Sequence, residues 1–382
     1  MPRVFFYVQH LLGIGHVVRA LRIARGLRES GFEVDFVMGG VPIPNNDLQR
    51  LNVVQLPPVR AANASFDALV GQYGELVDEA FKKARVDALL ESLLQSRPDI
   101  ILIETFPFGR QQMRFELMPL LEAAHAKSRR PPIVSSVRDI LQESKKPDRA
   151  RETIDLLHIY FDHVIVHGDP RFITLDATFP LASEIAHLLS YSGLIAPQAP
   201  IRSPSTSSLA DVVVSVGGGS VGHRLLKTAI SAKSLSSLAG ARWLIVTGPN
   251  IDPHSYCELR TEAGEHGIAL VQFLPDLAAV LAGAVLSISQ AGYNTVADIL
   301  VAGCKAVFVP FAGGGETEQS LRARLLETNG IGISLPDEML STDNLLSAID
   351  RSLALPRQKI DIELGGVAGT ARILERLLSR GG

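Results

Sequence analysis

Two glycine-bearing turns, each placed where an apolar run passes into a stretch of helical periodicity, constrain this chain more than any other feature. The first, Leu12-Gly13-Ile14-Gly15-His16, follows the run Val4 to Val8; the second, Gly217-Gly218-Gly219-Ser220-Val221-Gly222, follows Asp211 to Val216. Glycines at a strand-to-helix turn let backbone N–H groups come close to an anion, and the positive end of the following helix favours phosphate or sugar-hydroxyl ligands. One such turn opening each half of the chain predicts two nucleotide-fold halves able to close a cleft.

The rest of the chain keeps the same rhythm. Runs rich in Val, Ile and Phe at 3–8, 33–38, 99–103, 132–136 and 162–166 alternate with helical stretches at 16–29, 66–96, 112–127 and 148–159. In the second half, strands at 211–216, 242–247, 268–271, 284–288 and 305–309 alternate with helices at 222–237, 255–265, 276–282, 293–302, 316–328 and 342–353. Strands that are apolar on both faces belong to parallel sheets covered by helices on both sides. The segment 196–208, rich in Pro and Ser and without apolar periodicity, reads as a linker. The expected organisation is therefore α/β, with two Rossmann-like doubly wound domains facing across a cleft. They cover 1–195 and 209–382, and the last helix, 367–379, is expected to pack back on the first.

Size and charge agree with this. A chain of 382 residues, 46% hydrophobic, exceeds the roughly 250 to 300 residues of a single core. Lys plus Arg (37) nearly cancels Asp plus Glu (40), so no global field attracts nucleic acid, which is not an expected partner. No apolar stretch reaches the roughly 18 residues of a membrane span, and Met1 leads straight into a strand, so a cytoplasmic protein is expected. Cys257 and Cys304 lie far apart without metal-ligand spacing and read as reduced, buried small residues.

Ligands of open parallel sheets bind outside the carboxyl ends of the strands. Three loops of the second half fit that rule: the Gly217 turn, with Gly217, Gly218, Gly219 and Ser220; Ser289 to Asp298, with Gln290, Gly292, Asn294 and Thr295; and Val309 to Gln319, which ends in polar side chains suited to sugar hydroxyls. In the first half, Thr105, Arg110 and Arg138 follow strands and line an expected acceptor side together with Gly13 and Gly15. His16, at a helix start where its imidazole tends to stay neutral, is the candidate general base.

The order of these loops resembles the GT-B glycosyltransferases of the MurG type (family 28), which transfer N-acetylglucosamine from UDP-GlcNAc to a lipid-linked acceptor. The resemblance is best over 211–335 and 3–30. It implies that Asp298 holds the ribose hydroxyls, that Glu318 and Gln319 bind the donor sugar, and that a backbone group near Leu274 reads the base. It further implies an inverting enzyme of cell-envelope or polysaccharide biosynthesis, cytoplasmic or peripheral at the inner face of the membrane. UDP-sugar would be a co-substrate, with no cofactor. The acceptor, a lipid-linked molecule or a saccharide, is not named by the sequence. The chain departs from the family in having Asp298 for Glu, Glu318 for a second Gln, and two glycines for four in the first loop.

Other readings stay open at this point. The pattern from Gly13 to Arg19 also resembles UDP-sugar hydrolases of the pseudaminic acid pathway, in which the histidine serves water. A non-catalytic nucleotide-sugar-binding protein would keep the second-half loops and tolerate loss of His16. No Asp-x-Asp pair follows a strand, so no catalytic metal is expected, and Gly13-x-Gly15-x-x-Val18 lacks the third glycine of a dinucleotide site. His158, His163 and His167 are expected in surface or packing roles. Ser128 to Arg130 and the pair Lys145-Lys146 read as solvated loops or as contacts to an anionic lipid or acceptor phosphate.

Overall fold

The computed structural model describes residues 1–11, 13–42, 48, 51–62, 68–142, 148–199, 209–219, 221–356 and 361–380. Ser220, Lys145, Lys146 and most of the expected linker lie outside these residues. The chain divides into two units, one of residues 1–195 with 362–382 and one of residues 196–361.

In the first unit the elements run β1 (Arg3–Val8), α1 (Gly15–Glu29), β2 (Glu33–Met38), β3 (Asn52–Gln55), β4 (Val59–Ala61), β5 (Leu69–Gly71), α2 (Glu79–Ser96), β6 (Ile100–Glu104), α3 (Arg114–His125), β7 (Ile133–Arg138), α4 (Arg149–Tyr160), β8 (His163–His167) and β9 (Leu189–Tyr191). Seven of these strands form one parallel sheet in the order β3-β2-β1-β6-β7-β8-β9. Val4 to Val8 are buried on both faces of it, which is why the run is continuously apolar rather than alternating.

The second unit contains β10 (Val212–Ser215), α5 (His223–Lys233), β11 (Trp243–Val246), α6 (Pro253–Glu265), β12 (Ala269–Val271), α7 (Leu277–Gly283), β13 (Leu286–Ser289), α8 (Tyr293–Ala302), β14 (Lys305–Phe308), α9 (Glu318–Thr328), β15 (Ile333–Ser334) and α10 (Thr342–Ala354). Its parallel sheet has the order β12-β11-β10-β13-β14-β15. A final helix, α11 (Gly366–Arg380), belongs to the first unit and packs on α1.

Both sheets reverse their order at the first strand of the unit: β1 lies between β2 and β6, and β10 between β11 and β13. At such a switch point the loops leaving neighbouring strands diverge to opposite faces and leave a crevice at the carboxyl edge. The fold thereby places the turn after β1 beside the end of β6, and the turn after β10 beside the loop after β13.

Two sequence expectations fail here. The stretch 66–96 is not one helix: Leu69–Gly71 pairs antiparallel with Val59–Ala61, and α2 starts only at Glu79. Gly74, at φ 91°, turns the chain, and the Asp78 carboxylate accepts from Phe81 N at 2.7 Å to cap the helix. Cys257 is exposed while Cys304 is buried. On α6 the buried positions are Leu259 and Ala263, one turn apart, and Cys257 falls off that stripe.

Candidate active site

In the first unit α1 opens at Gly15 and places His16 in its first turn. The His16 Nδ1 lies 2.8 Å from Glu104 Oε1, at the end of β6. Arg19, three residues further along α1, donates from Nη2 to the same oxygen. The sequence flagged His16 but not Glu104, although a carboxylate closing the apolar run Ile100 to Ile103 was its signal. The Glu104 side chain is fully buried, whereas 19% of the His16 side chain remains exposed. The carboxylate is thus hidden behind the imidazole, and only the imidazole is accessible.

Charge in this cluster is set by burial and by its neighbours. Burial alone would raise Glu104, but His16, Arg19 and Arg110 outweigh it and hold the carboxylate well below its ordinary range. Burial lowers His16 to about 4, against the opposing pull of Glu104. His16 is therefore neutral at pH 7. With Nδ1 facing a carboxylate that only accepts, the ring proton sits on Nδ1 and the Nε2 lone pair is left to take a proton.

The expected acceptor-side residues surround this pair unequally. Thr105 adopts φ 68° and Arg110 φ 59°, both in the left-handed region that costs a side-chain-bearing residue free energy. Arg110 donates from Nε to Gln9 O at 2.9 Å, tying the loop after β6 to the end of β1. Arg138, at the end of β7, is half-buried; burial lowers Arg110 first, against the pull of Glu104, and repulsion from Arg138 adds to it. Gly13 is exposed, stays outside the left-handed region, and a Cβ built on it would meet nothing within 4 Å.

A second polar network supports β1 from behind. Arg85, fully buried on α2, donates to Glu116 from Nε at 2.6 Å, to Gly39 O at 2.9 Å and to Gln9 Oε1 at 3.1 Å. His167 is also buried, between Ser136 Oγ at 2.7 Å and Ser192 Oγ at 2.9 Å. It serves packing, and burial lowers it to about 3.

The second unit builds its loops from backbone. Gly217, Gly219 and Gly222 have φ of 62°, 85° and 105°, values that only glycine adopts without strain. A Cβ on Gly219 would stand 2.9 Å from the Gly248 carbonyl carbon. The turn after β10 is thus pressed against the turn after β11, which donates back from Asn250 N to Gly218 O at 2.9 Å. Gly248 and Asn250 escaped the sequence reading because nothing local marks this contact.

The loop after β13 lies against the same turn. Gln290 is buried, donates from its N to Ser215 O at 3.2 Å, and packs where a Gly222 side chain would be. Gly292 caps α8 with its chain extended, and Asn294 and Thr295 form the first helical turn. Asp298 is 6% exposed, which removes it from the solvated face of α8. Leu274 is half-buried in the connection between β12 and α7, beside the exposed Phe273.

Glu318 and Gln319 open α9, and the structure gives them different tasks. Glu318 is 2% exposed and accepts from Arg322 Nη2 at 2.9 Å, while Arg322 Nη1 donates to Ala291 O at 3.1 Å. This buried pair joins the loop after β14 to the loop after β13. Gln319 uses its Oε1 to accept from Phe311 N at 3.2 Å, which leaves its amide NH2 as a donor for a ligand. Arg322 was missed; its spacing of four from Glu318 on a helix was the available signal.

Comparisons with known proteins bear on both units. Residues 213–361 match the model of the glycosyltransferase family 28 C-terminal domain. The UDP-N-acetylglucosamine--N-acetylmuramyl-(pentapeptide) pyrophosphoryl-undecaprenol N-acetylglucosamine transferase of Methylorubrum extorquens is 28% identical over 175 residues, 45% of this chain and 47% of its own length. Its namesake from Albidiferax ferrireducens is 32% identical over 162 residues, 42% of this chain and 39% of its own. The chain spans less than half the length of these curated relatives.

Among solved structures, Acinetobacter baumannii MurG has a TM-score of 0.58 at 18% identity and covers 99% of both chains. The calicheamicin glycosyltransferase CalG4 has a TM-score of 0.59 at 17% identity, over 100% of this chain and 95% of its own. Two Rossmann-like units of parallel sheet with these neighbours define the GT-B fold. Within that fold, the second unit resembles the family 28 C-terminal domain, and the sequence relatives carry the name of the N-acetylglucosamine transferase.

Proposed function

We propose that this chain is an inverting, metal-independent glycosyltransferase that moves a hexose, N-acetylglucosamine or a close relative, from a UDP-sugar to an acceptor hydroxyl. The His16–Glu104 pair carries the reading: a neutral imidazole, 2.8 Å from a buried carboxylate and open at its other nitrogen, is what a general base requires. His16 Nε2 takes the hydroxyl proton as that oxygen attacks the anomeric carbon from the face opposite the nucleotide. The bond from the anomeric carbon to the diphosphate breaks, and its electron pair leaves with UDP. Glu104 stabilises the imidazolium that forms, as a carboxylate behind a catalytic histidine does.

The second unit supplies the donor side of this proposal. The Gly217 turn and the start of α8 at Asn294 and Thr295 offer backbone N–H groups to the departing diphosphate. Asp298 is assigned to the ribose and Gln319 to the sugar. Glu318, committed to Arg322, acts by holding the two loops together. The relatives' names support a UDP-N-acetylglucosamine donor and a lipid-linked acceptor; a cytoplasmic enzyme that meets the membrane at its inner face belongs to the same proposal. Among the described residues no helix is long and apolar enough to cross a membrane.

The test is UDP release from a panel of UDP-sugars, with and without lipid extracts and soluble sugar acceptors. Wild type releases UDP slowly from donor alone and much faster with a competent acceptor. His16→Ala keeps donor affinity and loses about a hundredfold to ten-thousandfold in rate. Full-rate release with water alone identifies a hydrolase, and no release under any condition identifies a binding protein. Unchanged turnover in His16→Ala removes the assignment of the base.

A further inference from the structure

A cavity of about 410 Å³ opens at the carboxyl ends of β8 and β9, wholly within the first unit and without His16 in its lining. Asp169 and Arg171 border it after β8, Ser192 and Gly193 after β9, and Arg372 and Arg376 from α11. The helix is held close: a Cβ on Gly369 would overlap the Ser192 backbone, 3.1 Å from its Cα. Positions 369, 372 and 376 share one helical face, so pressing Gly369 onto the end of β9 turns both arginines to the cavity.

The charges around this cavity are unevenly satisfied. Asp169 is spent: its Oδ1 accepts from Arg171 N and Nε, and its Oδ2 from Arg171 Nη2 and Glu363 N. Glu363 turns Oε1 to Gly365 N at 2.7 Å. Among the described residues, neither the Arg372 nor the Arg376 guanidinium has an ion pair or a hydrogen bond. Arg3, Arg130 and Arg151 of the same unit meet Glu33, Asp162 and Glu184, whereas exposed Arg28, Arg97 and Arg129 stand without an ion pair among the described residues; what sets Arg372 and Arg376 apart is that both border one cavity. Two like charges four residues apart on a helix repel each other. The helix dipole does not account for Arg372, two turns before the end of α11.

We propose that this cavity binds a phosphate-bearing anion, a diphosphate or phosphomonoester, clamped between the Arg372 and Arg376 guanidinia. Planar guanidinium forks match phosphate oxygens in pairs, and the volume lies in the range of small-ligand sites. A free phosphorylated molecule and a phospholipid headgroup present the same chemistry. Its lining comes from the first unit alone, and the proposal stands whether or not the transferase reading holds.

Hydrogen exchange of the full chain, with and without sodium pyrophosphate, tests the site directly. Exchange should slow at 168–171 and 366–376, and calorimetry should show pyrophosphate binding weakened tenfold or more, on the order expected for losing paired charged hydrogen bonds, in Arg372→Gln/Arg376→Gln. UDP binding should be the same in both proteins. Vesicles of anionic phospholipid beside vesicles of phosphatidylcholine separate the sources: slowing by pyrophosphate marks a free anion, and slowing by anionic vesicles alone marks a headgroup. Should the double variant unfold, each single variant replaces it with a smaller loss. Slowing confined to 217–222 and 290–295, no slowing with either probe, or equal slowing in the variants overturns the proposal.

Discussion

The turn after β1 and the turn after β10 both run from a parallel strand into a helix beside a switch point, yet different parts of the chain hold them. Side chains hold the first: Glu104 receives both His16 and Arg19, Arg110 ties the neighbouring loop to Gln9, and Gly13 has open space around it. The second is held by backbone, through glycines at φ 62°, 85° and 105° and a turn-on-turn contact with Gly248. A side-chain cluster can carry a proton and is exposed to pH. A backbone cradle offers fixed N–H dipoles and is nearly blind to it. The same glycine-rich spelling thus brings a histidine to a buried carboxylate in one unit and folds a backbone-held turn in the other.

Acid should separate the two units most. His10, His16 and His167 have folded pKa values of about 4, about 4 and about 3, lowered first by burial. Because these lie below the unfolded value near 6.5, the unfolded chain takes up protons first. Their stability is complete above about pH 6.5 and is lost as pH falls toward 4. Each such group removes about 2 kcal/mol by pH 5. Exchange or proteolysis across that range should open segments of the first unit before those of the second, and simultaneous opening would break the comparison. The acid limb of any turnover should also lie well below 6.5.

Substitution makes the next difference. Glu104→Ala leaves Arg19 buried without its carboxylate and should cost roughly 3 to 5 kcal/mol in denaturant unfolding of the first unit, with UDP affinity unchanged. Gly219→Ala should cost about 1 to 3 kcal/mol from backbone strain and weaken UDP binding, with the first unit unaffected. Gly13→Ala is the smallest expected effect, within about 0.5 kcal/mol in a melt, because its Cβ would enter open space. A loss at Gly13 comparable to that at Gly219 would show that both turns are backbone cradles.

Much of the fold was legible because strand and helix periods differ. Runs such as Glu33–Met38 and Val212–Ser215 stand out by continuous apolar character, and the parallel α/β class follows from their alternation with helices. The hairpin Val59–Ala61 with Leu69–Gly71 did not stand out. Three-residue strands carry almost no period, and the chain before α2 mimics a helical pattern until Asp78 caps it. The site divides in the same way. His16 and the Gly217 turn announce themselves by local pattern, whereas Glu104, Arg322 and Gly248 act through partners 88, 31 and about 30 residues away.

The sequence by itself determined the two sheets, the places where strands run into helices, and the resemblance of residues 211–335 to one family, because these depend on neighbours within a few turns of chain. Tertiary structure alone decided that His16 faces a carboxylate, that Glu318 is occupied by Arg322, and that α11 brings two arginines to the end of β9. Each of these rests on which strand lies beside which. That order is fixed by burying whole faces of sheet and helix, and the residues at the sheet edge inherit their partners from it.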